Sequence, residues 1–244
     1  MDKIKKTAIV IPARLNSTRL KNKLLLEVNN KPVIQYVYES AKRAKLADKV
    51  IIATDSEEIF NKAKEFNAEV EMTSINHKSG SDRIAEVAKR HDEFDYILNM
   101  QGDEPEITPE VIDEALKAIQ NEDCDIVTLV RRITNPEQIE SPNCVKCVFD
   151  KNNNALYFSR YPIPYKRNEG SEKYYAHIGM YAYKKEALFK MTEYPQADIE
   201  KTESLEQLRA LYNGMKIKVV LVDLNPTGID TIEDFEKFKS NFLK

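Results

Sequence analysis

The 244-residue chain has no run of about 18 apolar residues, so nothing in it reads as a membrane-spanning helix. Its first apolar stretch, Thr7 to Pro12, is too short for the core of a secretory signal, and a cytoplasmic location with no membrane partner is expected. No Gly-rich or Pro-rich tract marks a linker. Neither sign of charge dominates: 37 Lys and Arg against 40 Asp and Glu leave a formal net charge of -3. That balance argues against nucleic acid or an anionic surface as a partner. Cysteine is scarce, with three residues in all. Cys144 and Cys147 form a C-x-x-C, but on a strand-like segment residues three apart face opposite ways. No second pair completes a four-ligand set, so all three cysteines are read as reduced and structural. The chain also lacks both G-x-x-x-x-G-K-[ST] and G-x-G-x-x-G, which removes the Walker loop and the dinucleotide fingerprint.

What is present is the composition of a globular protein, 42% hydrophobic and 32% charged. Apolar runs over 7–12, 49–54, 70–73, 95–100 and 125–130 are predicted strands. Between them fall helical patterns over 32–43 and 81–91. A capping-box signal at Asp55-Ser-Glu-Glu58 opens another helix, and Thr108-Pro109 opens a fourth that runs to 121. Strands separated by helices in this rhythm imply an α/β fold, a mostly parallel sheet with helices on both faces. The second half is less regular. Strands are expected over 145–149, 155–159, 176–183 and 216–223, with a DKNNN turn at 150–154. Helices are expected over 203–213, stopped by Gly214, and over 231–242. With no repeat and no evident boundary, one domain over 1–244 is expected.

Ligands in open α/β sheets bind beyond the carboxyl ends of the strands. The loop after the first strand carries Arg14, Arg19, Lys21 and Lys23, with the hydroxyls of Ser17 and Thr18, which suits a polyphosphate. The fourth strand runs into Gln101-Gly-Asp-Glu104, where Asp103 is placed to hold Mg²⁺ against a phosphate or to serve a turn. Asp230 lies between the last strand and last helix, as a second metal carboxylate or part of a helix cap.

Eight strings in order resemble the 3-deoxy-manno-octulosonate (Kdo) cytidylyltransferases: IPARLNSTRLKNKLL, IIATDSEEI, HKSGSDRIAEVA, NMQGDEPEI, ALYFSRYPIPY, HIGMYAY, ESLEQLRALYNGMKIKV and GIDTIEDFEK. The resemblance covers nearly the whole chain and implies a Rossmann-like nucleotide-sugar transferase fold. It implies transfer of CMP from CTP to a Kdo-type sugar acid, for lipopolysaccharide synthesis, in a Mg²⁺-dependent homodimer. By resemblance, Arg14, Arg19 and Lys23 grip the triphosphate, and Ala13, Ser79, Ser81, Arg83 and Gln101 help form the nucleotide pocket. Asp103 and Asp230 ligate the metal. Gln101, Arg160, His177, Tyr181, Glu206 and Gln207 surround the sugar acid. The aromatic stretch 157–183 is the expected dimer contact. A related sugar acid, 8-amino-Kdo or sialic acid, is the alternative substrate, and a non-catalytic nucleotide-binding protein is the distant rival. The loop departs from the family pattern of Pro-Gly before the lysine and Pro after it, here Lys21, Asn22 and Leu24, so Lys21 competes with Lys23 for the triphosphate.

Overall fold

A computed structural model describes residues 5–15, 19–168, 170 and 173–241. Ser17 and Thr18 of the first loop lie outside the described residues, as do Glu169, Ser171 and Glu172 of the aromatic stretch. The chain divides into two compact units, Met1–Leu116 with Pro226–Lys244, and Lys117–Asn225, where one domain was expected.

The first unit opens with β1 (Thr7–Ala13) and the short hairpin of β2 (Glu27–Val28) and β3 (Lys31–Pro32). Asn29 and Asn30 turn that hairpin at φ 50 and 60, the paired left-handed geometry of a type I′ turn. Helix α1 (Val33–Lys42) buries Val33, Ile34, Val37 and Ala41, the stripe read from their spacing. Then come β4 (Lys49–Thr54), α2 (Glu57–Glu65), β5 (Val70–Met72), α3 (Gly80–Arg90), β6 (Tyr96–Asn99) and α4 (Pro109–Asn121). Strand β1 pairs in parallel with β4 and β6, and β4 with β5. Val10 thus faces Ile51 on one side and Asn99 on the other. Nearly every residue of β1, β4 and β6 is buried, as a parallel strand covered on both faces requires.

In the second unit, β7 (Ile126–Arg132) and α5 (Glu137–Glu140) precede β8 (Lys146–Phe149), β9 (Ala155–Ser159) and β10 (Tyr175–Lys184). Helices α6 (Lys185–Glu193), α7 (Asp198–Glu203) and α8 (Gln207–Tyr212) follow, then β11 (Ile217–Leu221). Strand β7 is parallel to β11 and antiparallel to β10; β8 is antiparallel to both β10 and β9. The mostly parallel pattern therefore holds in the first unit, while the second is mixed. The helix expected over 203–213 is shorter, α8 alone, and starts only at Gln207 because Ser204 adopts φ 52. The carbonyls of Glu203 and Ser204 turn to accept from the Arg160 guanidinium instead of continuing a helical ladder. Helices α5, α6 and α7 were not foreseen.

The chain closes with α9 (Ile232–Ser240) in the first unit. Thr231 and Asp234 cap it reciprocally, and Phe235 and Phe238 join Val28, Val33 and Ile229 in a buried cluster. Each phenylalanine stabilises that docking by about 1.5–3 kcal/mol. Among the described residues, no helix is long and apolar enough to cross a membrane.

Candidate active site

Three segments of the first unit meet around a cavity of about 280 Å³: the end of β1, the start of α3, and the loop after β6. Pro12 and Arg14 line it from the first, Lys78 and Ser79 from the second, Gln101 and Asp103 from the third. Lys23 closes it from the 3-10 turn Lys23–Leu25. This is the carboxyl end of the parallel strands, where the sequence directed attention. Gly102 is required by close approach: a Cβ there would lie 3.1 Å from Ile34 Cδ1 and 3.2 Å from the Pro12 carbonyl oxygen.

The two acidic residues, 127 positions apart in the chain, come together for a visible reason. Ile229 N donates to the Asp103 carbonyl at 2.9 Å, and Thr227 N donates to Glu106 Oε2 at 2.7 Å. These bonds stitch the segment before α9 onto the loop after β6, and the Phe235–Phe238 cluster anchors it. The Lys23 ammonium then donates to both carboxylates, to Asp103 Oδ2 and, at 2.9 Å, to Asp230 Oδ1. Arg19 pairs with the other oxygen of Asp230 at 2.8 Å. Burial works against the charge on Lys23, but Asp103 and Asp230 outweigh it and hold its pKa above the ordinary lysine value.

Glu104 completes the electrostatics. Burial pushes its pKa up to about 8, with the Asp103 and Asp230 charges adding and Lys23 opposing. Its Oε2 is shut from solvent and has no hydrogen-bond partner among the described residues, although the residue as a whole is half-buried. Burial and the neighbouring carboxylates thus favour the protonated form of Glu104. Two carboxylates converging on one cation, beside an open cavity, are a donor pair that would suit a divalent cation such as Mg²⁺.

The cations of the first loop divide. Lys23 lines the cavity, whereas Lys21 is exposed and outside its lining. Asn22 takes φ 54, a left-handed conformation that glycine favours and asparagine tolerates, so the departure from Pro-Gly preserves a turn. Arg14 donates through Nη2 to the carbonyls of His77 and Ser79. Ser79 caps α3, with its hydroxyl accepting from Asp82 N and its own N–H given to Asp82. Ala13, Ser81 and Arg83 are buried and absent from the lining. The Arg83 guanidinium pairs with Asp55 at 2.8 Å and with the Thr73 hydroxyl, bracing α3 against the end of β4. Among the polar side chains of the lining, Lys78 is the one not expected from the sequence; its only signal was a positive charge beside Ser79.

Of the expected sugar residues, Gln101 lies in this first-unit cavity and the others in the second unit. His177 sits on β10 between the rings of Phe158 at 5.0 Å and Tyr181 at 5.4 Å. A register shift in β10 between Ile178 and Tyr181 brings Tyr181 opposite Thr128. Burial pushes the His177 pKa down to about 3, so the ring is neutral. The Thr128 hydroxyl donates its one proton to the carbonyl of Met180 at 2.9 Å, with that of Ile178 3.2 Å away. Its 3.0 Å contact with His177 Nε2 must then be one in which the imidazole donates. Nδ1 is left as an acceptor with no partner among the described residues. Gln207 is buried, and its Nε2 likewise has none. Glu206 flanks it at the start of α8, 3.8 Å from Arg209. Arg160 is more committed: three of its five N–H groups donate to the carbonyls of Glu203, Pro142 and Ser204.

The neutral state of His177 has a measurable consequence. As pH falls through 6.5 the unfolded chain takes the proton first, so stability is lost progressively from there toward pH 3. Between pH 7 and 5 the loss is about 1–2 kcal/mol. Urea unfolding at both pH values should show this increment in the parent and not in His177→Gln; equal losses in the two proteins would place the acid sensitivity elsewhere.

Residues 8–217 match the family described as Cytidylyltransferase. A 3-deoxy-manno-octulosonate cytidylyltransferase of Chloroherpeton thalassium is 46% identical, over 98% of this chain and 98% of its own length. That of Thermodesulfovibrio yellowstonii is 45% identical, over 94% and 95%. A solved structure of CMP:2-keto-3-deoxy-manno-octonic acid synthetase complexed with CTP is 36% identical, with a TM-score of 0.94 over 98% of this chain and 99% of that one. A cytidylyltransferase structure from Leptospira borgpetersenii, 20% identical with a TM-score of 0.65, shares the fold.

Proposed function

This chain belongs to the 3-deoxy-manno-octulosonate cytidylyltransferase family, and from that premise we propose that it transfers CMP from CTP to Kdo, releasing pyrophosphate, with Asp103 and Asp230 sharing a Mg²⁺ ion. One observation carries the site assignment: Lys23 draws Asp103 and Asp230 onto a single cation beside the first-unit cavity. In the reaction the anomeric hydroxyl of the sugar acid attacks the α-phosphorus, the bond from that phosphorus to the oxygen bridging it to the β-phosphate breaks with its electron pair leaving on pyrophosphate, and the hydroxyl proton passes to solvent water. Arg14, Arg19 and Lys23 bind the triphosphate and offset the charge that builds on the leaving pyrophosphate. Mg²⁺, when bound, supplies further neutralisation of phosphate charge. The protein forms no covalent bond with substrate, so positioning and electrostatics dominate.

The sugar contacts in this reading are the residues that the family resemblance implies. Neutral His177 accepts a sugar hydroxyl at Nδ1, Gln207 donates from Nε2, and Tyr181 and Glu206 complete the set. Arg160 keeps two N–H groups for the sugar carboxylate. The same proposal includes a role in supplying activated Kdo for lipopolysaccharide and a cytoplasmic homodimer, supported by exposed Tyr161 and Tyr165 within 157–183. Light scattering on an eluting size-exclusion peak reads the dimer directly, and a monomer mass would remove it.

The test of the activity is pyrophosphate release from CTP, Kdo and Mg²⁺, run against ATP and UTP and against sialic acid in place of Kdo. Release with CTP and Kdo, abolished by chelation, is the expected result. Release with sialic acid alone would reassign the sugar, and CTP binding without release under any condition would make the chain a nucleotide-binding protein.

A further inference from the structure

Glu86 has no part in the chemistry above, yet it is the hub of the segment that shapes the cavity wall. It lies on α3, and its Oε2 accepts from Ser74 N at 2.9 Å and from His77 Nε2. Its other oxygen accepts from Arg90, one turn along the same helix. Arg90 in turn donates to the Met72 carbonyl at 2.9 Å and to Glu71 Oε2 at 3.1 Å. The carboxylate is thus fixed from the helix side and holds both ends of the segment 74–77. Burial works against its charge, but the Ser74 N–H, His77 and Arg90 outweigh that and keep its carboxyl below the usual range. A carboxylate can only accept, so His77 Nε2 carries the proton in their contact.

His77 is a two-ended connector. Its ring is bound to Glu86, while its backbone carbonyl accepts from Arg14 Nη2, as does the carbonyl of Ser79 two residues on. Both bonds use one terminal nitrogen of Arg14, and its Nη1 and Nε have no partner among the described residues. An arginine with four rotatable side-chain bonds is thereby held at one corner and presented to the cavity with its other donors open. Among the described residues little else restrains the segment: Ile75 within it is 78% exposed, and Asn76 N donates to the Ser74 hydroxyl of the same segment.

We propose that Glu86 and His77 are positioning residues for nucleotide binding, clamping the segment before α3 so that its carbonyls aim Arg14 at the triphosphate. This rests on the reading that Arg14 serves the triphosphate. Loss of the clamp lets the two carbonyls drift and frees Arg14 to take rotamers that miss the phosphates. The sugar-acid residues are untouched, so the defect falls on CTP.

The test is a double-mutant cycle on CTP affinity, measured by calorimetry on the full-length protein with Mg²⁺ and no sugar acid. Glu86→Ala is expected to weaken CTP binding roughly five- to tenfold in the parent. In an Arg14→Ala background the same change should have less than a twofold effect, because the side chain it orients is gone. His77→Leu, which keeps the carbonyl and removes the ring contact, should reproduce the pattern and serves if Glu86→Ala does not fold. In turnover assays KM for CTP should rise while KM for the sugar acid stays constant. An equal loss in both backgrounds, or none in the parent, overturns the clamp. If Arg14→Ala itself leaves CTP affinity unchanged, the assignment of Arg14 fails instead.

Discussion

In Asp103→Asn, turnover at saturating CTP, sugar acid and Mg²⁺ is expected to fall by roughly a hundredfold or more. The substitution keeps the size and one acceptor oxygen of the side chain but removes its charge. The loop after β6 should be undisturbed, because it is held through the Asp103 carbonyl and through Glu106, not through the Asp103 carboxylate. Lys23 then has one anionic partner instead of two, and a shared ion has one carboxylate instead of two. Asp230→Asn should behave alike, though Asp230 also pairs with Arg19. Residues acting on one ion are non-additive, so the double variant should be little worse than the poorer single one. Steady-state pyrophosphate release over a Mg²⁺ titration measures all three. Turnover of Asp103→Asn within threefold of the parent at saturating Mg²⁺ would remove it from the mechanism.

The largest expected effect on stability lies in the second unit. Arg209 forms a two-point pair with Glu200, Nε to Oε2 at 2.9 Å and Nη2 to Oε1 at 2.5 Å, and both side chains are buried. Glu200 also accepts from Ala197 N at 3.1 Å, which ties the start of α7 to α8. Arg209→Met removes the cation and leaves a buried carboxylate without its counter-charge, at a cost of about 3–5 kcal/mol. In a chain of this length that corresponds to a drop in Tm of roughly 6–20 °C. Adding Glu200→Gln removes the stranded charge while keeping an acceptor for Ala197 N, so the double variant should recover more than half of the loss. Thermal unfolding followed by circular dichroism supplies the cycle. If the double variant is as unstable as Arg209→Met alone, the cost comes from lost packing and not from the stranded charge.

Much of the first unit was legible in one dimension. The runs at 7–12 and 49–54 have the uninterrupted apolar character that only a strand buried on both faces tolerates, and the structure buries them so. The start of helix α2 was marked by cap chemistry, one residue off: the expected box of Asp55 with Glu58 is a simple cap by Ser56, whose hydroxyl accepts from Ile59 N, while the reciprocal cap of α9 is formed by Thr231 and Asp234. In the second unit such local signals misled. The pattern at 203–213 reads as helix from its first residue because nothing nearby in sequence announces that Arg160, over forty positions earlier, takes the carbonyls of Glu203 and Ser204, so that α8 begins only at Gln207.

The order of elements, the parallel pairing of the early strands and the types of residue available for phosphate and metal follow from local periodicity and composition, which act over a few residues. The sequence by itself determined those. Tertiary structure alone decided that Asp103, Asp230 and Lys23 share one point, that Lys23 and not Lys21 reaches it, and that Arg83 braces a helix. Each of these depends on contacts between segments far apart in the chain, whose energies exist only once burial has removed competing water.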